Sequence, residues 1–305
     1  MRRTAMRVGL GVAGTSGAAY VAAAYDDDAR RALAIGSIGT LCRIFMRQTN
    51  SLTVHDQHHF DAALARPDGT GLLSVSNHNA TIDDPHLLSS IVPYSALLWR
   101  AGREMRWGVC ARDVCFRPGS VLERWADSAK VLPIERHGGV WQPDLDTIIG
   151  KLCHGAWVHY FPEGKIRQDG RIHPFRRGVG RLVAGVDDPG ALQVLPFYHM
   201  GCDAIQPTTP SSKTLFTWPT FGTEVHVIFG APVDLSRLLA LRSTPPFDKR
   251  PELLFEVIAH TLEEEVRALR SELHRRRGLP TDQFPPEGGA FEARDRPQEF
   301  NPDGG

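Results

Sequence analysis

The chain has 305 residues, 42% of them hydrophobic, and carries 35 basic and 35 acidic side chains, so its formal net charge is zero. That balance supplies no field for nucleic acid, and the length suits one α/β domain with tails, because no internal linker separates two cores. The five cysteines, Cys42, Cys110, Cys115, Cys153 and Cys202, are odd in number and form no Cys-x-x-Cys pair, which predicts reduced, mostly buried thiols and neither a disulfide nor a zinc site.

Residues 1–29 read as a separate N-terminal segment. Met1 to Tyr25 carries Arg2, Arg3 and Arg7, no acidic residue, and a weakly apolar run rich in glycine and alanine. An import segment, mitochondrial first, fits that composition; a marginal membrane helix and a secretory signal are the alternatives. From Asp26 to Gln48, Ala32, Leu33, Ile35, Ile38, Leu41, Ile44 and Phe45 follow helical spacing, with Arg43 and Arg47 on another face. Such an amphipathic helix packs on the domain or lies in a membrane interface.

Gly71 to Ser76 reads as a short buried strand, and Asp84-Pro85 before Leu87-Leu88 as the cap and first turn of a helix. The apolar run Leu87 to Leu98, broken by Pro93, suits core and membrane contact equally. Arg100, Arg103, Arg106, Arg112, Arg117, Arg124, Lys130 and Arg136 recur with few acids between them, either a solvated helix face or a surface for anionic headgroups. Strands follow at Lys130–Arg136, Trp157–Phe161, Leu192–Tyr198 and Val225–Phe229, with helices at Leu145–Leu152 and Gly180–Val186 between them. This alternation predicts an α/β sheet sandwiched by helices. Leu254, Val257, Ile258, Leu262, Val266, Leu269 and Leu273 mark one long amphipathic helix, stopped by Arg275-Arg276-Arg277 and Gly278. Residues 278–305 have the composition of a disordered tail, leaving a domain of residues 30–277.

The chemistry concentrates at strand ends, where open α/β sheets place ligand sites. In Ser76-Asn77-His78-Asn79-Ala80-Thr81-Ile82-Asp83 a histidine precedes an aspartate by five positions across a strand-to-helix connection. Asp83 on one ring nitrogen would fix the tautomer of His78 and leave the other nitrogen as a general base, with no serine or cysteine nucleophile implied. Arg136 leaves a strand before Gly138-Gly139 and suits a phosphate. In Phe161-Pro162-Glu163-Gly164-Lys165 a stiff turn presents Glu163 to a substrate hydroxyl or to Arg136, Gly164 allows close approach, and Lys165 or Arg167 adds charge. Leu195-Pro196-Phe197-Tyr198-His199 suggests an edge strand or bulge, with His199 as a satisfied structural histidine or a second polar contact. Gly178-x-Gly180 lacks the remaining features of a dinucleotide fingerprint, so a nicotinamide site is rejected.

In this order, His-x4-Asp, a strand-end arginine, Phe-Pro-Glu-Gly and an apolar block with Leu-Pro resemble the four blocks of the glycerolipid acyltransferase superfamily. The closer likeness is to its tafazzin branch, the cardiolipin-remodelling transacylases. It runs through Asp83-Asp84-Pro85-His86-Leu87, His154-Gly155-Ala156-Trp157-Val158-His159 and Gly178-Val179-Gly180-Arg181-Leu182, and covers roughly residues 71–230. Pro133-Ile134-Glu135-Arg136 departs from the usual arginine block. The resemblance implies a single domain with a mixed central sheet flanked by helices, His78 and Asp83 as catalytic residues, and Asn77, Arg136, Glu163, Gly164 and Lys165 as substrate-binding residues. It further implies acyl transfer from phospholipids such as phosphatidylcholine to monolysocardiolipin without coenzyme A, metal or cofactor. The expected setting is the surface of a mitochondrial membrane facing the intermembrane space. Two alternatives are an acyl-CoA-dependent lysophospholipid or glycerophosphate acyltransferase and a non-catalytic peripheral membrane protein.

Overall fold

Short strands buried on both faces require helices on either side of the sheet, and two strands here have that character: every residue of Gly71–Val75 and of Trp157–Tyr160 is buried. A computed structural model describes residues 27–98, 104–119, 123, 125–207 and 218–281. The predicted import segment, and the predicted tail beyond residue 281, lie outside these residues.

The strands are β1 (Ser51–His55), β2 (Gly71–Val75), β3 (Gly108–Ala111), β4 (Val131–Ile134), β5 (Trp157–Tyr160), β6 (Leu192–Met200) and β7 (Glu224–Phe229). The main helices are α1 (Asp27–Ile44), α2 (Gln57–Leu64), α3 (His86–Ile91), α4 (Pro143–Cys153), α5 (Gly178–Ala184) and α6 (Pro251–Arg276). The central sheet has the order β1-β7-β6-β2-β5, all neighbours parallel except the antiparallel β6–β7 pair. A parallel β3–β4 pair joins the β5 edge through Trp107, which bridges to Val158. The sheet is thus mixed and helix-flanked, as the sequence predicts, and among the described residues no helix is long and apolar enough to cross a membrane.

Alternation along the strands sorts the core into two halves. Leu73, Val75 and Val158 face Ile148, Leu182, Ile258 and Leu262 of α4, α5 and α6. Leu72, Trp157, Leu195 and Phe197 face Phe60, Leu87, Leu88 and Ile35 of α2, α3 and α1.

Several expectations are corrected. The run Leu87–Leu98 divides: Leu87, Leu88, Val92 and Leu97 are fully buried whereas Tyr94 is exposed, and Pro93 separates α3 from a short helix at Tyr94–Leu98. Asp84 caps no helix; its carboxylate pairs with the buried Arg106 guanidinium. Cys110 and Cys115 form a disulfide across the end of β3, close enough in sequence for one turn to bring them together, whereas Cys42, Cys153 and Cys202 are free thiols. β6 is an interior strand. Pro196 is tolerated there because β6 changes partner at that point, pairing with β2 up to Pro196 and with β7 from Phe197 onward, and the Pro196 carbonyl accepts from Gly230 N–H at 2.9 Å. β1 and β3 escaped the sequence reading because both are short runs without strong alternation.

The Gly178-x-Gly180 element serves packing. A Cβ on Gly180 would lie 2.0 Å from the Phe255 carbonyl oxygen of α6, so the glycine lets α5 and α6 cross backbone to backbone. Gly180→Ala is therefore expected to lower stability by about 1–3 kcal/mol or more, through overpacking, as read by urea denaturation.

Candidate active site

The loop after β2 turns back on itself because one buried carboxylate organises it. Asp83, 1% exposed, lies in the 3-10 turn Thr81–Asp83, and its Oδ2 accepts from the backbone N–H groups of Asn79 at 2.8 Å and Ala80 at 2.9 Å. The same oxygen meets His78 Nδ1 at 2.9 Å. Burial pushes the Asp83 pKa up, but the proximity of His199 and His78 and the Ala80 N–H outweigh it and hold the carboxyl below its ordinary range. An ionised Asp83 makes His78 Nδ1 the donor, so Nε2 carries the free lone pair. The His78 side chain is 18% exposed and stacks on Phe161 with ring centroids 3.9 Å apart. The arrangement is that of a general base with one face open.

Glu163 joins this loop to the next. It is 4% exposed; Oε1 accepts from His78 N–H at 2.9 Å and Oε2 from His173 N–H at 3.0 Å, so both oxygens are bound to backbone and neither reaches Arg136. Gly164 has φ +72°, and a Cβ there would lie 2.6 Å from Arg176 Nε, which itself donates to the Glu163 carbonyl at 3.4 Å. The following residues fold over the base. Arg167 N–H donates to the His78 carbonyl at 2.8 Å, and the Gln168 amide donates to the carbonyls of Asn79 at 2.8 Å and Gln206 at 2.9 Å. Lys165 is exposed on this turn.

Asn77 is engaged with β6 through its side chain. Its side-chain amide donates to the His199 carbonyl and accepts from His199 N–H, both at 3.0 Å, which continues the β2–β6 ladder beyond its last backbone pair. Arg136 is exposed and pairs with Asp113 at 3.0 Å, joining the end of β4 to the turn after β3; among the described residues no hydrogen bond or ion pair ties it to the His78 loop. The other described members of the arginine-rich run are likewise engaged internally: Arg106 with Asp84, Arg112 with Asp144, Arg117 with the Asp113 carbonyl and Lys130 with the Met105 carbonyl. Arg167 meets the His78 loop through its backbone N–H, and its sequence signal is its place three residues after Gly164. Arg106 gave no distinguishing signal among its neighbours.

Beneath the base lies a layer of rings. His159, buried, meets Ser74 Oγ through Nδ1 at 3.0 Å and packs on Phe161 and Phe197; burial and nearby Arg106 hold its pKa well below the ordinary value, so it stays neutral. Asp83, His199 and Cys202 gather with ligand atoms within 4.8 Å, a donor set suited to a cation, but Asp83 Oδ2 already serves three hydrogen-bond partners.

Residues 51–200, from β1 to the end of β6, match the family model described as Acyltransferase. The chain carries an acyltransferase domain. It is 29% identical over 202 residues to the N-acylphosphatidylethanolamine synthase of Arabidopsis thaliana, covering 66% of this chain and 69% of that protein. It is 28% identical over 250 residues to the tafazzin of Drosophila melanogaster, covering 80% of this chain and 62% of that protein, in agreement with the tafazzin-like motifs. The fold is similar to that of the 1-acyl-sn-glycerophosphate acyltransferase from Thermotoga maritima, with a TM-score of 0.53, 18% identity and coverage of 81% of this chain and 82% of that one.

The bridge made by Glu163 in the acyltransferase domain has a pH signature. Burial raises its pKa from 4.5 to about 7, against the opposing pull of two N–H donors. Between those values the folded protein holds a proton that the unfolded chain has released, so stability falls as pH rises from 4.5 to 7 and is level above. The slope reaches at most about 1.4 kcal/mol per pH unit from one group. Urea denaturation across this range is expected to show that fall in the wild type and a flatter profile in Glu163→Gln.

Proposed function

We propose that this acyltransferase domain is a phospholipid–lysophospholipid transacylase that moves acyl chains from phospholipids such as phosphatidylcholine to monolysocardiolipin without coenzyme A. The observation that carries the chemistry is the 2.9 Å contact of His78 Nδ1 with the buried Asp83 carboxylate, which leaves Nε2 as the base. His78 Nε2 takes the proton from the free hydroxyl of the lysophospholipid as that oxygen attacks the ester carbonyl of the donor. The tetrahedral adduct then collapses, the C–O bond to the donor's glycerol breaks, and the leaving oxygen takes the proton back from the imidazolium. Asp83 stabilises that imidazolium without itself taking the proton. The step is symmetrical between two lipid esters, which suits a remodelling reaction. Lys165 and Arg167, rather than Arg136, are the cationic side chains of the His78-side loop available to a headgroup phosphate.

In this reading the enzyme works on the mitochondrial membrane from its surface, with α1 as the contact. Ala34, Ile35 and Cys42 of α1 are buried, whereas Leu33 and Leu41 are each 68% exposed and Ile44 shares their stripe. Arg43 and Arg47 donate to the carbonyls of Val92 and Ser90 and fasten the helix to the domain, so the apolar stripe is held outward. Tyr94 and Phe221 are exposed beside this region; Arg43 lies over the Tyr94 ring, and Phe221 meets Phe45 at the end of α1. An outward apolar stripe with aromatic neighbours suits the headgroup–acyl boundary.

The similarity to an N-acylphosphatidylethanolamine synthase supports a second reading, in which the same base removes a proton from the amine of phosphatidylethanolamine. One assay separates the readings. Phosphatidylcholine labelled in its acyl chain, with no coenzyme A present, or acyl-CoA labelled in its acyl chain is mixed with monolysocardiolipin or phosphatidylethanolamine. Label entering cardiolipin in the coenzyme-A-free arm is the expected result, and transfer from acyl-CoA alone, or only onto the amine, overturns it. His78→Ala and Asp83→Asn are each expected to lower that rate by about 10²–10⁴-fold; full activity in folded variants would remove His78 as the base. In flotation with vesicles of phosphatidylcholine and cardiolipin, Leu33→Glu and Leu41→Glu are expected to weaken binding about tenfold or more each, with unchanged thermal unfolding.

A further inference from the structure

His199 is buried in the second half of β6, near the same Asp83 oxygen that meets His78. Its Nε2 lies 3.0 Å from the Asn77 carbonyl oxygen and 3.7 Å from Asp83 Oδ2. A carbonyl only accepts, so Nε2 carries the proton and Nδ1 is a bare lone pair, buried and without a partner among the described residues. An apolar ring would fill the same space without burying an orphan nitrogen. The N–H at Nε2 is therefore the feature that sets histidine apart here.

That N–H bears on both members of the dyad. The Asn77 carbonyl belongs to the peptide unit whose N–H is that of His78. At its oxygen end this unit accepts from His199 Nε2 and from Ser76 Oγ at 2.9 Å; at its nitrogen end it donates to Glu163 Oε1 at 2.9 Å. The Asn77 side chain meanwhile holds the His199 backbone at N–H and C=O, so ring and peptide are locked to one another. The peptide plane from which the His78 side chain springs is thus gripped at both ends, and the grip at the oxygen end also faces the carboxylate that orients the ring.

We propose that His199 is a positioning residue for acyl transfer, its Nε2–H holding the Asn77–His78 peptide and the Asp83 carboxylate in the one relation that aims His78 Nε2 at the acceptor. Its effect on catalysis rests on His78 being the base; its effect on the His78–Asp83 hydrogen bond does not. The residue acts through others and touches no substrate, so its loss should lower kcat and spare KM.

Three variants test this. Gln places an amide N–H near the position of Nε2, Asn is polar but one carbon short of it, and Phe keeps the ring volume without any donor. In the full chain, His199→Gln is expected to retain kcat within about fivefold, whereas His199→Asn and His199→Phe lose about tenfold to a hundredfold, with KM within about threefold throughout. Should the Phe variant fail to fold, the Gln and Asn pair decides. The second readout needs no substrate: the downfield proton resonance of His78 Nδ1–H, identified by its loss in Asp83→Asn, should stay in place in His199→Gln and shift or broaden in His199→Asn. Equal kcat and an unmoved resonance in the Gln and Asn variants would overturn the proposal. A resonance that responds as expected while no acyl transfer is found with any donor would leave the positioning role standing and remove the acyltransferase reading instead.

Discussion

An ionised carboxylate in the interior is costly unless polar groups converge on it, and at Asp83 that requirement shapes the whole His78 loop. Two successive backbone N–H groups, those of Asn79 and Ala80, point at one oxygen, which forces the chain into a tight hook after β2. The remaining approach to that oxygen is taken by the His78 ring. Past a strand end the backbone N–H groups are no longer paired in the sheet and are free for such a purpose. The position of the base between β2 and the turn at Thr81–Asp83 therefore follows from the same shortage of partners that makes strand ends good ligand sites.

The neighbouring loops exist to keep that hook in place. Glu163 crosses from the turn after β5 to the His78 N–H and also reaches His173, so a single side chain ties three loop segments together. Arg167 and Gln168 close over the His78 and Asn79 carbonyls from the same turn. Behind them, Glu263 of α6 accepts from Phe175 N–H at 2.9 Å, which anchors the segment to the longest helix of the fold. The polar groups that the motif presents in sequence are largely spent on backbone, and the surface left for lipid is made by side chains between them.

The basic residues divide along similar lines. Arginines between β3 and β4 find carboxylates or carbonyls within the protein and serve its framework, as Arg112 does with Asp144 and Arg106 with Asp84. A phosphate needs a cation that the protein has not already engaged. Arg136, paired with Asp113 at the end of β4, follows the same pattern.

Local chemistry and order along the chain determined much of this protein in advance. The alternation of apolar runs, the stop at Gly278 and the His78–Asp83 spacing predicted the helix-flanked sheet and the pairing of His78 with Asp83, because periodicity and a five-residue hook are properties of adjacent residues. Tertiary structure decided what depends on distant partners. It engaged Asn77 and Glu163 with backbone groups that lie 122 and 85 residues away. It buried Leu87, Leu88, Val92 and Leu97 and placed Pro196 at the change of strand partners inside the sheet. A hydrogen-bonding side chain carries no mark in sequence of whether its partner will be a substrate or its own backbone. Burial and direction settle that, and both arise only when the chain has folded.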